Sequence, residues 1–233
     1  MVERGGLGLA LALFSAFISE TGVSAQETDA PTTVALNFFA GVPHGDIGAA
    51  LRSLRPPQIS PAERARALAS LPKKGELEPN GVERRKLATL EAVLKYHERS
   101  NMEIKVVDLP YAGIAIHQRA VLLVSRLALR LLSAGELQAA VAHEIGHEYF
   151  WSEYERRDTL PAASRQTIEL KCDGIAALTL LALGLDVSRL NTAMTRIIEF
   201  NRSIGITTDE AGYPTVRERD IFVRSLLKMV RVY

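Results

Sequence analysis

The chain has 233 residues, 47% of them hydrophobic and 24% charged, a balance that excludes an intrinsically disordered protein and fits one globular domain with at most a small appendage. Lys and Arg number 28 against 27 Asp and Glu, so no bulk charge draws a polyanion or an anionic membrane surface, and no nucleic-acid partner is expected. Cys172 is the single cysteine, so internal disulfides are excluded and stability must come from a hydrophobic core, in which this thiol reads as a small buried hydrophobe.

Residues 1–25 read as a targeting segment: Arg4, an apolar run from Leu7 to Ile18, then Val23, Ser24 and Ala25 in the small-residue pattern of a cleavage site. The run is about a dozen residues, against roughly 20 for a membrane-spanning helix, so a signal peptide cut after Ala25 is expected over an uncleaved anchor. The mature chain is then exported, periplasmic or secreted, with no stable membrane span. Residues 26–80 are punctuated by Pro31, Pro43, Pro56, Pro57, Pro61, Pro72 and Pro79 and read as a loosely structured lead-in. Within it, Ser60, Pro61 and Glu63 form a capping-box start that predicts a short helix to about Ser70.

The main domain is expected over 81–233. Leu87, Leu90, Val93 and Leu94 recur at spacings of three and four, which predicts an amphipathic helix over Glu83–Arg99. Glu103–Asp108 and Ala120–Ser125 read as strands, with a weaker one over Tyr111–Ile116, and together they predict a small antiparallel sheet. Beyond Ser125 the apolar period becomes helical, through Leu127, Leu131 and Leu132, then Leu137, Val141 and Ile145. Ser133 with Glu136 caps the second of these helices. Ile175–Leu185 is too short for a bilayer and reads as a core helix closed by Gly184, with a further helix over Val187–Asn201. The fold class expected is α+β, mainly helical, with the sheet packed on the helix that Ser133 caps.

That helix carries His143, Glu144 and His147 as HExxH. Residues four apart on a helix differ by about 40 degrees around its axis, so both imidazoles leave from one face and can share one ion. Glu144 lies beside that face, where its carboxylate can act as general base toward a metal-activated water. A catalytic zinc takes three protein ligands and keeps one position open. No histidine follows His147, so the third ligand should be a carboxylate, and Glu169 sits in a downstream helical segment. Asp173 follows it at i+4 and can orient a ligating imidazole through its free ring N–H. A pair of structural histidines would require neither the intervening Glu144 nor the acid downstream.

At Leu132–His147 (LSAGELQAAVAHEIGH), at Glu169–Asp173 (ELKCD) with the apolar helix behind it, and at Tyr213, Pro214 and Arg219, the chain resembles the HtpX and CAAX-prenyl-endopeptidase family of gluzincin metallopeptidases in its small soluble form, from about Glu83 onward. The resemblance implies a zincin, minigluzincin-like architecture and endopeptidase activity with one zinc ion per chain and a polypeptide substrate. It implies that His143, His147 and Glu169 are the metal ligands, Glu144 the catalytic base and Asp173 the acid behind the ligands. It also implies that substrate lies extended beside the strand preceding the active-site helix, and Ala120–Val124 is expected to be that edge strand. The family usually carries His-Pro with an Arg six positions after the His; here Arg219 is in place, and the resemblance implies a catalytic role for it, but Tyr213 stands at the His. Its phenol can donate to an oxyanion in the transition state, and it can equally be a packing tyrosine.

Other residues read more blandly. His44, His97 and His117 are expected at the surface, and Glu148, Glu153, Glu155, Arg156 and Arg157 on a solvated face. Phe150, Trp151 and Tyr154 can line a groove or fill a core. A catalytically weak scaffold that acts as a chaperone or binding module, and a metal-free structural protein, are the two rival readings of the chain.

Overall fold

The structure is a computed structural model describing residues 30–41, 46–71, 75–206 and 212–231. His44 lies outside the described residues, as does the segment 1–25 expected to be a targeting signal. The chain runs through α1 (Pro31–Ala40), α2 (Ile47–Leu54), α3 (Pro61–Ser70), α4 (Gly81–Ala88), α5 (Glu91–Tyr96), β1 (Glu103–Val107), β2 (Ile114–His117) and β3 (Val121–Ser125). It continues through α6 (Arg126–Leu131), α7 (Ala134–Tyr149), α8 (Trp151–Tyr154), α9 (Ala162–Ala182), α10 (Ser188–Ser203) and α11 (Val216–Arg231). The fold is α+β and mainly helical.

Helix starts follow local chemistry. At α3 the Ser60 hydroxyl accepts from the Glu63 N–H and the Glu63 carboxylate accepts from the Ser60 N–H, a reciprocal box that pairs two otherwise orphaned donors. Ser133 and Glu136 do the same at α7, and Arg196 of α10 pins the Glu136 carboxylate at 3.0 Å. The single helix expected over Glu83–Arg99 is instead two, α4 and α5, broken at Thr89. The break frees the Thr89 carbonyl, which accepts from Gln138 Nε2 of α7 at 2.8 Å. Lys86 Nζ meanwhile donates to the Leu129 and Leu132 carbonyls and closes the end of α6.

The sheet corrects the sequence reading. Its order is β1-β3-β2, with β1 and β3 parallel and β2 and β3 antiparallel, so it is mixed rather than antiparallel. All five residues of β3 are buried, and such a strand is best satisfied with a neighbour on each side. A tight turn with Gln118 and Arg119 at φ 46 and 60 feeds β3 into that central place. Ala120–Val124 is therefore not an edge. Residues Gly75–Leu77 cover part of β1 through Leu77 N–H to the Val106 carbonyl and Asp108 N–H to the Gly75 carbonyl. β2 contacts α7, and its outer side pairs with no other strand among the described residues.

Between prolines, the lead-in carries α1 and α2 besides the expected α3. Ala35, Phe39, Ala50 and Leu51 are buried in the same core as α7 and α9. The Phe39 ring lies over Gly174 of α9, where any Cβ would stand 2.3 Å from a ring carbon, and it also meets Phe222 of α11 at 6.2 Å. Proline fixed the helix starts here without preventing the helices, since α1 opens on Pro31 and α3 on Pro61.

Two residues expected at the surface are buried. His97 sits between the Tyr149 hydroxyl at 2.8 Å and Thr179 Oγ1 at 2.9 Å. Glu148 accepts from Arg99 Nε at 3.0 Å and Arg119 Nε at 3.3 Å. Both follow from reversals that periodicity does not reveal, because Glu98 (φ 56) and Arg119 take left-handed backbone and turn the arginines inward. His117 is half-buried, with Nε2 at 2.8 Å from Ser70 Oγ, while Glu155 and Arg156 are exposed as expected.

Candidate metal centre

The centre is made where α7 crosses α9. Gly146 permits the crossing: a Cβ there would come within 2.8 Å of Cys172 Cα. One helical turn separates His143 from His147, and their rings stand 5.1 Å apart and nearly perpendicular. From α9, Glu169 Oε2 lies 3.3 Å from His143 Nε2, and Oε1 lies 3.7 Å from His147 Nε2. The three ligand atoms fall within 4.8 Å of one another and all three residues are buried. Bonds of about 2.0–2.1 Å around a tetrahedral zinc put neighbouring ligand atoms roughly 3.3 Å apart, so the spacing and the donor set both fit such an ion.

Behind the ligands is a second layer of charge. Asp173 Oδ1 lies 2.8 Å from His143 Nδ1, and accepting that N–H leaves Nε2 free to face Glu169. Arg219, delivered by α11, donates through Nη1 to both Asp173 oxygens, at 2.6 and 2.5 Å, and through Nη2 to Glu169 Oε2 at 3.3 Å. Arg219 is itself buried, so its place is behind the two acids, fixing both, rather than facing the open side.

The charges of the metal-free cluster follow from these contacts. Burial opposes a proton on His143, but hydrogen bonds to Asp173 and Glu169 and their negative charges outweigh it and raise the imidazole well above its ordinary range. His147 is pushed down to about 4 by burial. Burial alone would raise Glu169; the His143 hydrogen bond and the neighbouring positive charges instead hold its carboxyl well below the usual range. The Glu144 carboxyl has no hydrogen-bond partner among the described residues, and burial pushes it up to about 8.

Tyr213 is exposed, its carbonyl accepting from Gln166 Nε2 at 3.4 Å. Partial desolvation, with the charges of Glu169 and Glu144, pushes its phenol up to about 12, so it remains a donor at neutral pH. Tyr154 takes a position that the sequence reading left open. Its ring centroid lies 4.3 Å from that of His147, and the Arg157 guanidinium carbon stands 4.2 Å from the same Tyr154 centroid. Arg157, expected on a solvated face, thus joins a stack reaching the centre; no spacing in the sequence signals it. Trp151 flanks Tyr154 at 5.6 Å, and Phe150 is buried in the core.

A scan of family models finds no match to this chain, and no curated protein matches it.

Proposed function

We propose that the chain is a zinc-dependent metalloendopeptidase that hydrolyses peptide bonds in proteins, of the gluzincin kind that its motifs resemble, acting on envelope or secreted polypeptides after export. The observation that carries the reading is the buried His143, His147 and Glu169 cluster with Glu144 beside it on the helix that bears both histidines. Two imidazole nitrogens and one carboxylate oxygen form the donor set of hydrolytic zinc sites, and it leaves a coordination position open. No helix among the described residues is long and apolar enough to cross a membrane.

Bound there, a zinc ion would supply Lewis acidity toward a peptide carbonyl and lower the pKa of water. Glu144 takes the proton from the attacking water and passes it to the leaving amine. The Tyr213 phenol donates a hydrogen bond toward the oxyanion. Arg219 and Asp173 hold Glu169 and His143 in place and touch no substrate. The outer side of β2, rather than β3, offers unpaired backbone groups to an extended polypeptide.

Glu144→Gln tests the reading, since the amide keeps shape but accepts no proton. Cleavage of an unfolded protein should fall by about a hundredfold or more while zinc content stays at the parent level. Equal cleavage by the variant would remove Glu144 from the mechanism. A second reading, a weak scaffold that holds peptides without cutting them, is favoured by Tyr213 standing where the family has histidine; it predicts peptide binding that Glu144→Gln leaves unchanged.

A further inference from the structure

The two ligating imidazoles need two orienting partners, and only one of them is supplied by an acid. His143 has Asp173. For His147 to offer Nε2 to a metal, its proton must sit on Nδ1 and be given to an acceptor, otherwise the ring can rotate or carry the wrong tautomer. His147 is buried, and its Nδ1 meets one hydrogen-bonding partner among the described residues, the Cys172 Sγ at 3.3 Å. That distance lies within the range for a hydrogen bond to sulfur.

We infer that Cys172 is the positioning residue of His147, its sulfur accepting the Nδ1–H and turning Nε2 toward the metal. The inference rests on the metal-centre reading above. Two features of the helix crossing support it independently. Cys172 and Asp173 are consecutive on α9, so one stretch of backbone places both orienting groups, each against its own imidazole of α7. Gly146, next to His147, is in turn packed against the backbone of Cys172, an approach that any Cβ at that position would block. The sulfur of this buried core residue is therefore held against the ring by main-chain packing. The pair is asymmetric: a carboxylate behind His143 strengthens that ring as a donor, whereas a neutral, weakly accepting sulfur behind His147 fixes its orientation with little added basicity.

The test compares Cys172→Ala, which removes the acceptor, with Cys172→Ser, which restores one of similar size. Zinc affinity of the full chain is measured by competition with a chromophoric chelator, and the visible absorption of the cobalt(II)-loaded proteins is recorded. The alanine variant should bind zinc about tenfold more weakly, or worse, and shift the cobalt bands. The serine variant should return both toward the parent. Alanine binding as tightly as the parent, or serine losing as much as alanine, would overturn the role of Cys172 while leaving the metal centre standing. A parent protein that binds neither metal would overturn the centre and this inference with it.

Discussion

His97 shows how far a single residue can depart from what its neighbours in sequence suggest. It is flanked by Tyr96 and Glu98 and reads as polar surface, yet its ring fills a buried gap between Tyr149 and Thr179, and burial pushes it down to about 3. In the unfolded chain an ordinary histidine takes up its proton below about 6.5. Between pH 6.5 and 3 the unfolded state therefore binds a proton that the native state refuses. The stabilisation from neutral His97 is complete above that window and is lost on acidification at roughly 1.4 kcal/mol per pH unit within it. His97→Gln keeps a donor and an acceptor but does not titrate. Denaturant unfolding at pH 7 and pH 5 should show the variant losing less stability on acidification than the parent; equal losses would mean that the His97 pKa is the same in the native and unfolded states. The residues legible from sequence are of the opposite kind. His143, Glu144 and His147 were fixed by spacing on one helix, and Glu169 and Asp173 by an i, i+4 pair on another, because such relations are local. Arg157 and the inward turns of Arg99 and Arg119 depend on left-handed or irregular backbone that no local pattern announces.

At the scale of elements, the helices with explicit caps emerge as read: α3 from Ser60, α7 from Ser133, and α9 closed by Gly184 at φ 66. Strand order was not legible, since whether β3 pairs with β1, β2 or both is decided by burial across the sheet. The one available signal was the unbroken apolar run Val121–Val124, the pattern of a central strand rather than an edge. The packing of α1 was likewise hidden, because the contact between Phe39 and Gly174 joins distant parts of the chain. Gly174 directly follows Asp173, so α1 buttresses the helix that carries half of the centre. Phe39→Ala should destabilise the fold by about 3–5 kcal/mol, the usual cost of deleting a buried aromatic ring. Thermal or denaturant unfolding checks it, and a loss under about 1 kcal/mol would make α1 peripheral.

Over the whole molecule, the segment before α4 and the domain after it share one core and one set of polar ties. Arg55 reaches the Tyr96 carbonyl, Arg99 the Pro56 carbonyl and Arg119 the Pro57 carbonyl, while Arg99 and Arg119 both end on Glu148, the residue after His147. The C-terminal end of α7 is thereby anchored to the lead-in, and the Tyr154 ring stands against His147. The function proposed for this site requires that an ion be held there and that a polypeptide reach it. The most direct measurement is zinc stoichiometry of the purified protein together with cleavage of casein, with and without a chelator. We expect about one zinc per chain, the complement of three protein ligands and an open position, and cleavage that the chelator abolishes. Protein that takes up no zinc when it is supplied, or cleavage that persists after the metal is stripped, would contradict it.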